Sequence, residues 1–409
     1  MNDMKYIIIV GDGMADLPLD ELGGMTPLQK ASKPATDRLA SLGSNGLIIT
    51  VPEGMVPESD TANLALMGYD PTVYSKGRSP LEAASMGITM SETDTAIRAN
   101  LASVSEGECD YNDRIMLDHS SDEITTAEAD VLIKYLQAEL GNELMHFYTG
   151  ISYRHCMIYS GEMDYPDFTR PHDIIGQRIG DHHPTSSSGI EMWELQKRSF
   201  ELLNSHPINI DRAKRGLKKA NTLWLWSPGK KPMLPDFKQK FGISASVVCA
   251  VDLIKGIGIC AGMAVPEVKG ATGTLDTDYS AKMQKALQEL ENGAELVYIH
   301  VEAPDECGHH GDIAGKIKAI EQIDKYIVAP LTEALDSANI DYRLAITPDH
   351  PTPICFRTHT RAAVPFVLYD SRHKKTGKTV SYCEQSGENG DLYLEKGEEL
   401  LPLLLELNK

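Results

Sequence analysis

The sequence predicts an α/β protein: a mostly parallel β-sheet flanked by helices, with a second, smaller domain inserted into it. Short, β-rich segments that are largely apolar and lack clean alternation are typical of buried strands in such a sheet. Helical patterns over 277–292 and 314–338 lie between them, and this alternation is the pattern of the α/β class. The predicted strands are residues 6–10, 296–301, 342–347 and 364–369.

The length of the chain and a change in its composition indicate two domains. At 409 residues the chain exceeds the size at which a single hydrophobic core keeps growing. The stretch 85–235 is richer in His and Ser than its flanks and has no regular spacing. We therefore predict a discontinuous first domain, residues 1–84 and 236–409, and an inserted α/β or α+β domain, residues 85–235.

Composition argues against several classes of function. The net charge is −20 and no long Lys/Arg run occurs, which disfavours nucleic acid or an anionic membrane as partner. No apolar stretch is long enough to span a membrane, and the first apolar segment is too short for an export signal. Seven scattered cysteines without a CxxC pair fit reduced thiols. We expect a cytoplasmic protein, a monomer or small homo-oligomer.

Side chains that could bind metal ions lie next to the predicted strands. Open α/β sheets bind ligands beyond the carboxyl ends of their strands, so polar residues there are the first candidates. Asp305 and His309 are four residues apart and would share one face of a helix. The full set of candidates is Asp12, Asp305, His309, Asp349, His350 and His359.

Each of these residues alone has an ordinary explanation, as a helix cap, a turn residue or a hydrogen-bonded histidine. Together they point to metal binding, because three carboxylates and three imidazoles occur without a thiolate. Such oxygen and nitrogen donors suit divalent ions of the manganese, zinc or magnesium kind. The sequence therefore predicts a site for two divalent metal ions.

Ser59 is a candidate nucleophile. It follows a short predicted strand over 46–51 and precedes a predicted helix over 61–67. A helix N-terminus together with a metal ion would stabilise a serine alkoxide and favour a bound phosphate. The same position also suits a serine that only caps the helix. The residues by themselves leave both interpretations open.

Six ordered motifs span nearly the whole chain. They are Gly11-Asp12-Gly13, Glu58 to Pro71, Gly77 to Ala83, Asp305 to His309, Pro348-Asp349-His350 and His359-Thr360. Together they resemble the shorter, archaeal-type branch of the cofactor-independent, or 2,3-bisphosphoglycerate-independent, phosphoglycerate mutases of the alkaline-phosphatase superfamily. The serine motif and the late histidine motif are the specific ones.

This resemblance implies an alkaline-phosphatase-like core, a transiently phosphorylated Ser59 and two divalent metal ions beside it. Manganese is the expected metal, with zinc, magnesium and cobalt as alternatives. By matching motifs, the first metal site would consist of Asp305, His309 and His359. The second would consist of Asp12, Ser59, Asp349 and His350. His310 lies outside the family pattern.

The resemblance also implies the reaction. The phosphoryl group of 3-phosphoglycerate would pass to Ser59, and the glycerate would take it back on its other hydroxyl to give 2-phosphoglycerate. The partner is thus a small phosphorylated acid, held by the inserted domain. Candidate contacts are Arg154, His172, Asp173 and Lys230. Each Arg or Lys among them could equally be a solvated surface charge.

Three alternatives remain open at this level. Some relatives of this branch have been proposed as homoserine kinases, which would keep Ser59 and both metals but use another donor and acceptor. A metal-dependent phosphatase or phosphodiesterase is disfavoured, because an enzyme that needs only water has little use for a large inserted domain. A non-catalytic binding protein would be expected to lack a ligand or the serine, and all seven positions are filled.

Overall fold

The computed structural model describes residues 4–164, 167–375 and 381–407, which contain twelve strands and sixteen α-helices. The strands are β1 (Lys5–Gly11), β2 (Ser44–Ile48), β3 (Thr95–Val104), β4 (Met116–Asp118), β5 (Met145–Tyr148), β6 (Arg154–Tyr159), β7 (Thr222–Lys230), β8 (Ala245–Val248), β9 (Leu296–Val301), β10 (Tyr342–Thr347), β11 (Val364–Asp370) and β12 (Leu392–Leu394). The helices are α1 (Pro27–Lys30), α2 (Pro34–Leu42), α3 (Ser59–Leu66), α4 (Pro71–Tyr74), α5 (Ser79–Ser85), α6 (Thr126–Leu140), α7 (Ser187–Leu203), α8 (Pro207–Lys214), α9 (Phe237–Phe241), α10 (Asp252–Cys260), α11 (Tyr279–Glu291), α12 (Ala303–His310), α13 (Ile313–Ile323), α14 (Ala329–Ser337), α15 (Glu384–Glu388) and α16 (Leu400–Leu405).

The chain divides into two units, and the second interrupts the first in sequence. The first unit comprises residues 1–75 and 233–409, and the second comprises residues 76–232. The sequence predicts an insertion over 85–235; in the structure it begins earlier because α5 packs against β3 and β7 of the second unit.

The first unit is built on a seven-stranded sheet in the order β12-β2-β11-β10-β1-β9-β8. Neighbouring strands pair in parallel except at β11, which runs antiparallel to both β10 and β2. The predicted mostly parallel sheet is therefore confirmed. β9 and β10 begin and end where the sequence predicts, and β11 is a predicted strand that runs in the opposite direction.

The register of the central strands brings their carboxyl ends together. Val10 in β1 pairs with Thr347 in β10 and with His300 in β9. The segments that follow β1, β9 and β10 therefore start from one edge of the sheet. This is the edge at which parallel α/β sheets bind their ligands.

The apolar core of the first unit explains the strand pattern. β9 and β10 are buried along their whole length and β1 along almost all of it, so these strands need no polar face. Side chains of α2, α11, α13 and α14 join them in one cluster. The helix predicted over 314–338 is realised as α13 and α14, joined by a π-helical turn, Asp324–Val328.

The second unit contains a five-stranded antiparallel sheet. β3 pairs with β4, β6 and β7, and β5 pairs with β6. Side chains of α6 and α7 pack with β3 and β7 in its core. The sequence leaves both α/β and α+β open for the inserted domain, and the second unit is α+β. Within the described ranges of the chain, no helix is long and apolar enough to cross a bilayer.

Candidate active site

The turn after β1 buries Asp12 at the carboxyl edge of the sheet, where the residue is 1% exposed. Gly13 follows with a φ of +60°, and a Cβ at this position would lie 2.7 Å from the Cα of Asp305. Only glycine therefore allows the chain to turn so close to the segment after β9. Of the two glycines beside Asp12, Gly13 is therefore the one whose position requires glycine, whereas Gly11 is the last residue of β1.

Asp305, His309 and His359 form a first group of potential metal ligands. The segment after β9 is helical, and Asp305 Oδ2 lies 3.2 Å from His309 Nε2 one turn along α12. His359 comes from the loop before β11, and its Nε2 lies 3.4 Å from Asp305 Oδ1. The Nε2 atoms of His309 and His359 are 2.9 Å apart. Ligand atoms of all three side chains thus converge.

Backbone carbonyls orient both imidazoles of this group. Nδ1 of His309 lies 3.0 Å from the carbonyl oxygen of Arg357, and Nδ1 of His359 lies 2.8 Å from that of Pro57. Because a carbonyl only accepts, each Nδ1 donates its proton there. Each neutral ring then keeps the Nε2 lone pair that a metal ligand needs.

The charges within this group depend on one another. Burial opposes ionisation of Asp305, but hydrogen bonds with His309 and His359 hold the pKa of its carboxyl well below the usual range. The hydrogen bond to Asp305 raises the pKa of His309 to about 9. Burial opposes the same effect at His359, yet its pKa is also raised. A carboxylate that attracts protons this strongly would also attract a divalent cation.

Asp12, Asp349 and His350 form a second cluster, beside Ser59. His350 Nε2 lies 3.2 Å from Ser59 Oγ. The same nitrogen is 3.4 Å from Asp349 Oδ2 and 3.6 Å from Asp12 Oδ1. Burial, and next the charge of Asp349, raise the pKa of Asp12 well above its usual range. A bound cation would offset the cost of burying these two carboxylates.

Ser59 is the first residue of α3 and not its cap. The N-cap residue is Glu58, and no side-chain hydrogen bond caps the helix. The interpretation of Ser59 as a simple helix cap is therefore wrong. Its hydroxyl contacts His350 instead, at a helix start whose N–H groups favour negative charge. The preceding strand ends at Ile48, so a ten-residue segment, 49–58, separates β2 from Ser59.

Asn63 and Tyr298 hold Asp349 in place. Asn63 Nδ2 donates to Asp349 Oδ2 at 2.9 Å, and the Gly13 N–H donates to Oδ1 at 3.0 Å. The Tyr298 hydroxyl in turn donates to Asn63 Oδ1 at 2.5 Å. Sequence reasoning missed both as site residues. Asn63 lies within the serine motif, which could have revealed it, whereas Tyr298 lies inside β9 and looks like an ordinary core residue.

His300 is a further imidazole at the site, and sequence reasoning missed it because it lies inside β9. Its side chain is fully buried, and its Nε2 lies 3.1 Å from Asp12 Oδ2. Burial lowers the pKa of His300 to about 4, so the ring is neutral near pH 7. Asp12, His300 and Asp349 bring ligand atoms within 4.8 Å of one another.

Two of the four predicted substrate contacts line a pocket within the second unit. Arg154 and His172 border this cavity of about 180 Å³. Asp173 lies beside it, with Oδ1 3.6 Å from His172 Nε2. Lys230 donates to the carbonyl of Thr93 at 3.2 Å and is not among the lining residues. The other lining residues are Glu82, Arg98, Asn100, His119, Tyr153, His155 and Trp226.

Arg98 adds a cation to this pocket that sequence reasoning missed. Its Nε donates to Glu82 Oε2 at 2.6 Å, and a terminal nitrogen contacts the other carboxylate oxygen. The guanidinium also lies 4.6 Å from the centre of a Trp226 ring. Glu82 belongs to the motif Gly77 to Ala83, so the sequence could have marked it as a site residue. Its pairing with Arg98 of β3 is visible only in the folded structure.

Fold and site together define a class of protein: an α/β protein in which a serine at a helix start lies beside clustered potential metal ligands at the carboxyl edge of a mostly parallel sheet. A family model described as 2,3-bisphosphoglycerate-independent phosphoglycerate mutase matches residues 40–209. A relative of that name from Methanosarcina barkeri is 43% identical over 98% of this chain and 100% of its own length. A probable 2,3-bisphosphoglycerate-independent phosphoglycerate mutase from Geobacter sulfurreducens is also 43% identical, over 98% of this chain and 100% of its own.

The chain therefore belongs to the family of 2,3-bisphosphoglycerate-independent phosphoglycerate mutases. Among solved structures, a protein from Pyrococcus horikoshii superposes with a TM-score of 0.81 at 28% identity, covering 99% of this chain and 97% of that one. The cofactor-independent phosphoglycerate mutase from Thermoplasma acidophilum has a TM-score of 0.69 at 24% identity, covering 99% and 100%. At that identity the second comparison supports the fold alone.

Proposed function

We propose that this chain interconverts 3-phosphoglycerate and 2-phosphoglycerate through a phosphorylated Ser59, at a site with two divalent metal ions. The observation that carries the proposal is the Ser59 hydroxyl, 3.2 Å from His350 Nε2 among clustered potential metal ligands. Family membership, shown by a relative that matches 98% of the chain, supports the substrate.

The side chains present fit divalent cations. Both oxygens of Asp12 are buried without a hydrogen-bond partner among the described residues, which a cation would remedy. Donor sets of carboxylate and imidazole without thiolate suit manganese, zinc, magnesium or cobalt, and among these ions the family resemblance favours manganese. When bound, the ions supply positive charge that favours the serine alkoxide and neutralises phosphoryl oxygens. The proposed ligands are Asp305, His309 and His359 for one ion, and Asp12, Ser59, Asp349 and His350 for the other.

Ser59 carries the phosphoryl group between the two halves of the reaction. Its Oγ forms a bond to phosphorus while the bond from phosphorus to the substrate oxygen breaks, and the serine proton ends on the released hydroxyl. The second hydroxyl of the glycerate then attacks phosphorus, gives up its proton and restores Ser59. The N–H groups at the start of α3 favour the negative charge of the transferred group. The balance requires neither water nor a nucleotide.

The pocket of the second unit is proposed to bind the glycerate carboxylate. Glu82 already neutralises part of the charge of Arg98, so Arg154, exposed at the start of β6, is the favoured carboxylate contact. Burial lowers the pKa of His172, which suits a neutral hydrogen-bonding group better than a charge. Contacts of Asp173 and Lys230 with the substrate stay predictions.

The test is a comparison of substrates. Metal-loaded protein is incubated with 3-phosphoglycerate, without 2,3-bisphosphoglycerate, and followed by ³¹P NMR; a parallel sample receives ATP and homoserine. We expect the 2-phosphoglycerate signal to appear in the first sample only. Phosphohomoserine without any 2-phosphoglycerate would make the chain a kinase, and release of free phosphate alone would make it a phosphatase.

A pair of variants tests the proposed pocket. Arg154→Gln should raise the KM for 3-phosphoglycerate at least tenfold with unchanged metal content, because it removes the proposed carboxylate contact. Arg178→Gln is the matched control, since Arg178 is an exposed arginine of the same unit that pairs with Asp113. An unchanged KM in Arg154→Gln would remove Arg154 from the substrate site.

A further inference from the structure

His300 and Asp12 face each other with unused ligand atoms. Neither ring nitrogen of His300 and neither carboxylate oxygen of Asp12 has a hydrogen-bond partner among the residues that the structure describes. Both side chains are almost or completely excluded from solvent. Buried polar atoms without a partner are costly, and four of them in one place indicate that something else satisfies them.

The geometry fits a shared cation better than a direct hydrogen bond. His300 Nε2 lies 3.1 Å from Asp12 Oδ2, yet the two atoms do not meet as an aligned hydrogen bond. Two ligand atoms that each lie about 2.0–2.2 Å from one ion, at an angle of roughly 90–110°, are themselves roughly 2.8–3.6 Å apart. The separation of these two atoms is that of neighbouring ligands in one coordination sphere.

The backbone fixes the position of His300 independently of any ion. His300, in β9, pairs with Val10 of β1. Its carbonyl oxygen also accepts a hydrogen bond from the buried Lys282 Nζ at 3.1 Å. The imidazole is thus held at the sheet edge by the strand, and a third potential ligand, Asp349, completes the group.

We infer that His300 is an additional ligand of the metal ion that Asp12 and Asp349 hold, coordinating it through Nε2. The inference rests on the proposed metal site, to which it adds a residue outside the motif-derived ligand set. Asp12, His300 and Asp349 would retain this ion while Ser59 alternates between its free and its phosphorylated form. With Nε2 of His300 bound to the ion, the proton of the neutral ring lies on Nδ1.

The experiment measures metal binding without substrate. Metal-free full-length protein is titrated with Co²⁺ and followed by calorimetry and by visible absorption of the bound ion. His300→Leu should weaken one of the two binding events at least tenfold and change the cobalt spectrum, while the other event keeps its wild-type affinity. His310→Gln, which removes an exposed histidine of α12, should leave both events unchanged. Wild-type affinities and spectrum in His300→Leu would overturn the inference.

A measurement on the wild-type chain covers the case in which His300→Leu does not fold. The protein is labelled with ¹⁵N-histidine, loaded with ¹¹³Cd²⁺ and examined for one-bond coupling between cadmium and nitrogen. Coupling should appear for the four imidazoles of His300, His309, His350 and His359. Coupling to three imidazoles would contradict the role of His300. Both measurements omit phosphoglycerate, so failure of the mutase assay would leave their outcome unaffected.

Discussion

At the scale of single residues, the site depends on buried side chains whose partners come from distant parts of the chain. The Tyr298 hydroxyl, the Asn63 amide and the Asp349 carboxylate form a chain of hydrogen bonds with links of 2.5 and 2.9 Å. Loss of a side chain that orients a metal ligand typically costs roughly 10–100-fold in metal affinity, and Asp349 is a proposed ligand.

Tyr298→Phe tests this chain. Loss of the hydroxyl leaves Asn63 Oδ1 without its donor and frees the amide to turn away from Asp349, so we expect Co²⁺ or Mn²⁺ affinity at one site to fall about tenfold. Tyr342→Phe is the matched control, because Tyr342 is also buried and its hydroxyl donates to a carboxylate, that of Asp336. It should lose stability without losing metal affinity. Equal metal binding in both variants would mean that Asn63 needs no support.

The six residues predicted as metal ligands stand out in the sequence because they lie in the segments that follow or precede predicted strands, outside the apolar runs. The structure brings all six of them, with Ser59, to the same edge of the sheet. His300 and Tyr298 were not recognisable, since both lie inside β9. A polar residue within a buried strand reveals its role only when the strands on either side are known.

At the scale of secondary-structure elements, β9 and β10 were predictable because they are short, apolar and buried on both faces. The π-helical turn, Asp324–Val328, was not, because its residues continue the helical pattern of α13. Its function is visible only in three dimensions. Asp324 accepts hydrogen bonds from the N–H and hydroxyl of Thr36, at 2.6 and 2.7 Å, and from the N–H of Ala35 at 3.2 Å.

Asp324→Ala tests the capping of α2 by this turn. The side chain of Lys33, the N-cap residue of α2, makes no capping hydrogen bond. The buried Asp324 carboxylate, from another element, accepts hydrogen bonds from the first N–H groups of α2 in its place. Its loss leaves buried donors unpaired and should lower the free energy of unfolding by about 2–4 kcal/mol, measured by urea unfolding. Asp130→Ala, which removes a partly exposed carboxylate paired with Lys134, is the control and should change stability little. A similar loss in both variants would contradict the capping role.

At the scale of the whole molecule, the predicted insertion over 85–235 differs from the second unit, residues 76–232, mainly at its first boundary. α5 belongs to the second unit through contacts with strands far along the chain, which spacing does not reveal. The acidic balance was also informative. A chain with a net charge of −20 that acts on an anion must concentrate positive charge locally, and Arg98 and Arg154 lie at one pocket of the second unit.

The stability of the second unit should depend on pH through His155. Burial lowers the pKa of His155 to about 3, and its Nδ1 accepts a hydrogen bond from the Gly150 N–H at 3.1 Å. Between pH 6.5 and 3 the unfolded chain therefore binds a proton that the folded chain does not, so stability is lost as pH falls. From pH 7 to pH 5 this histidine should cost about 2 kcal/mol.

Between pH 7 and pH 5 the His155→Asn variant should lose about 2 kcal/mol less stability than the wild type, because asparagine does not titrate. Its amide oxygen can still accept the hydrogen bond from the Gly150 N–H. Tryptophan fluorescence in urea reports on this unit specifically, because Trp193, Trp224 and Trp226 all lie within it. His373→Asn, which removes an exposed histidine of the first unit, should follow the wild type. Identical pH profiles for the wild type and His155→Asn would contradict the assignment.

The measurement that tests the central claim most directly is transfer of phosphate to Ser59. Metal-loaded protein is mixed with ³²P-labelled 3-phosphoglycerate, quenched within milliseconds and digested, and the labelled peptide is identified by mass spectrometry. We expect the label on the peptide that contains Ser59, and we expect Ser59→Ala to bind metal, acquire no label and lose turnover by several orders of magnitude. A Ser59→Ala protein that retains a tenth of the wild-type rate, or a label on any other residue, would contradict the phosphoserine mechanism.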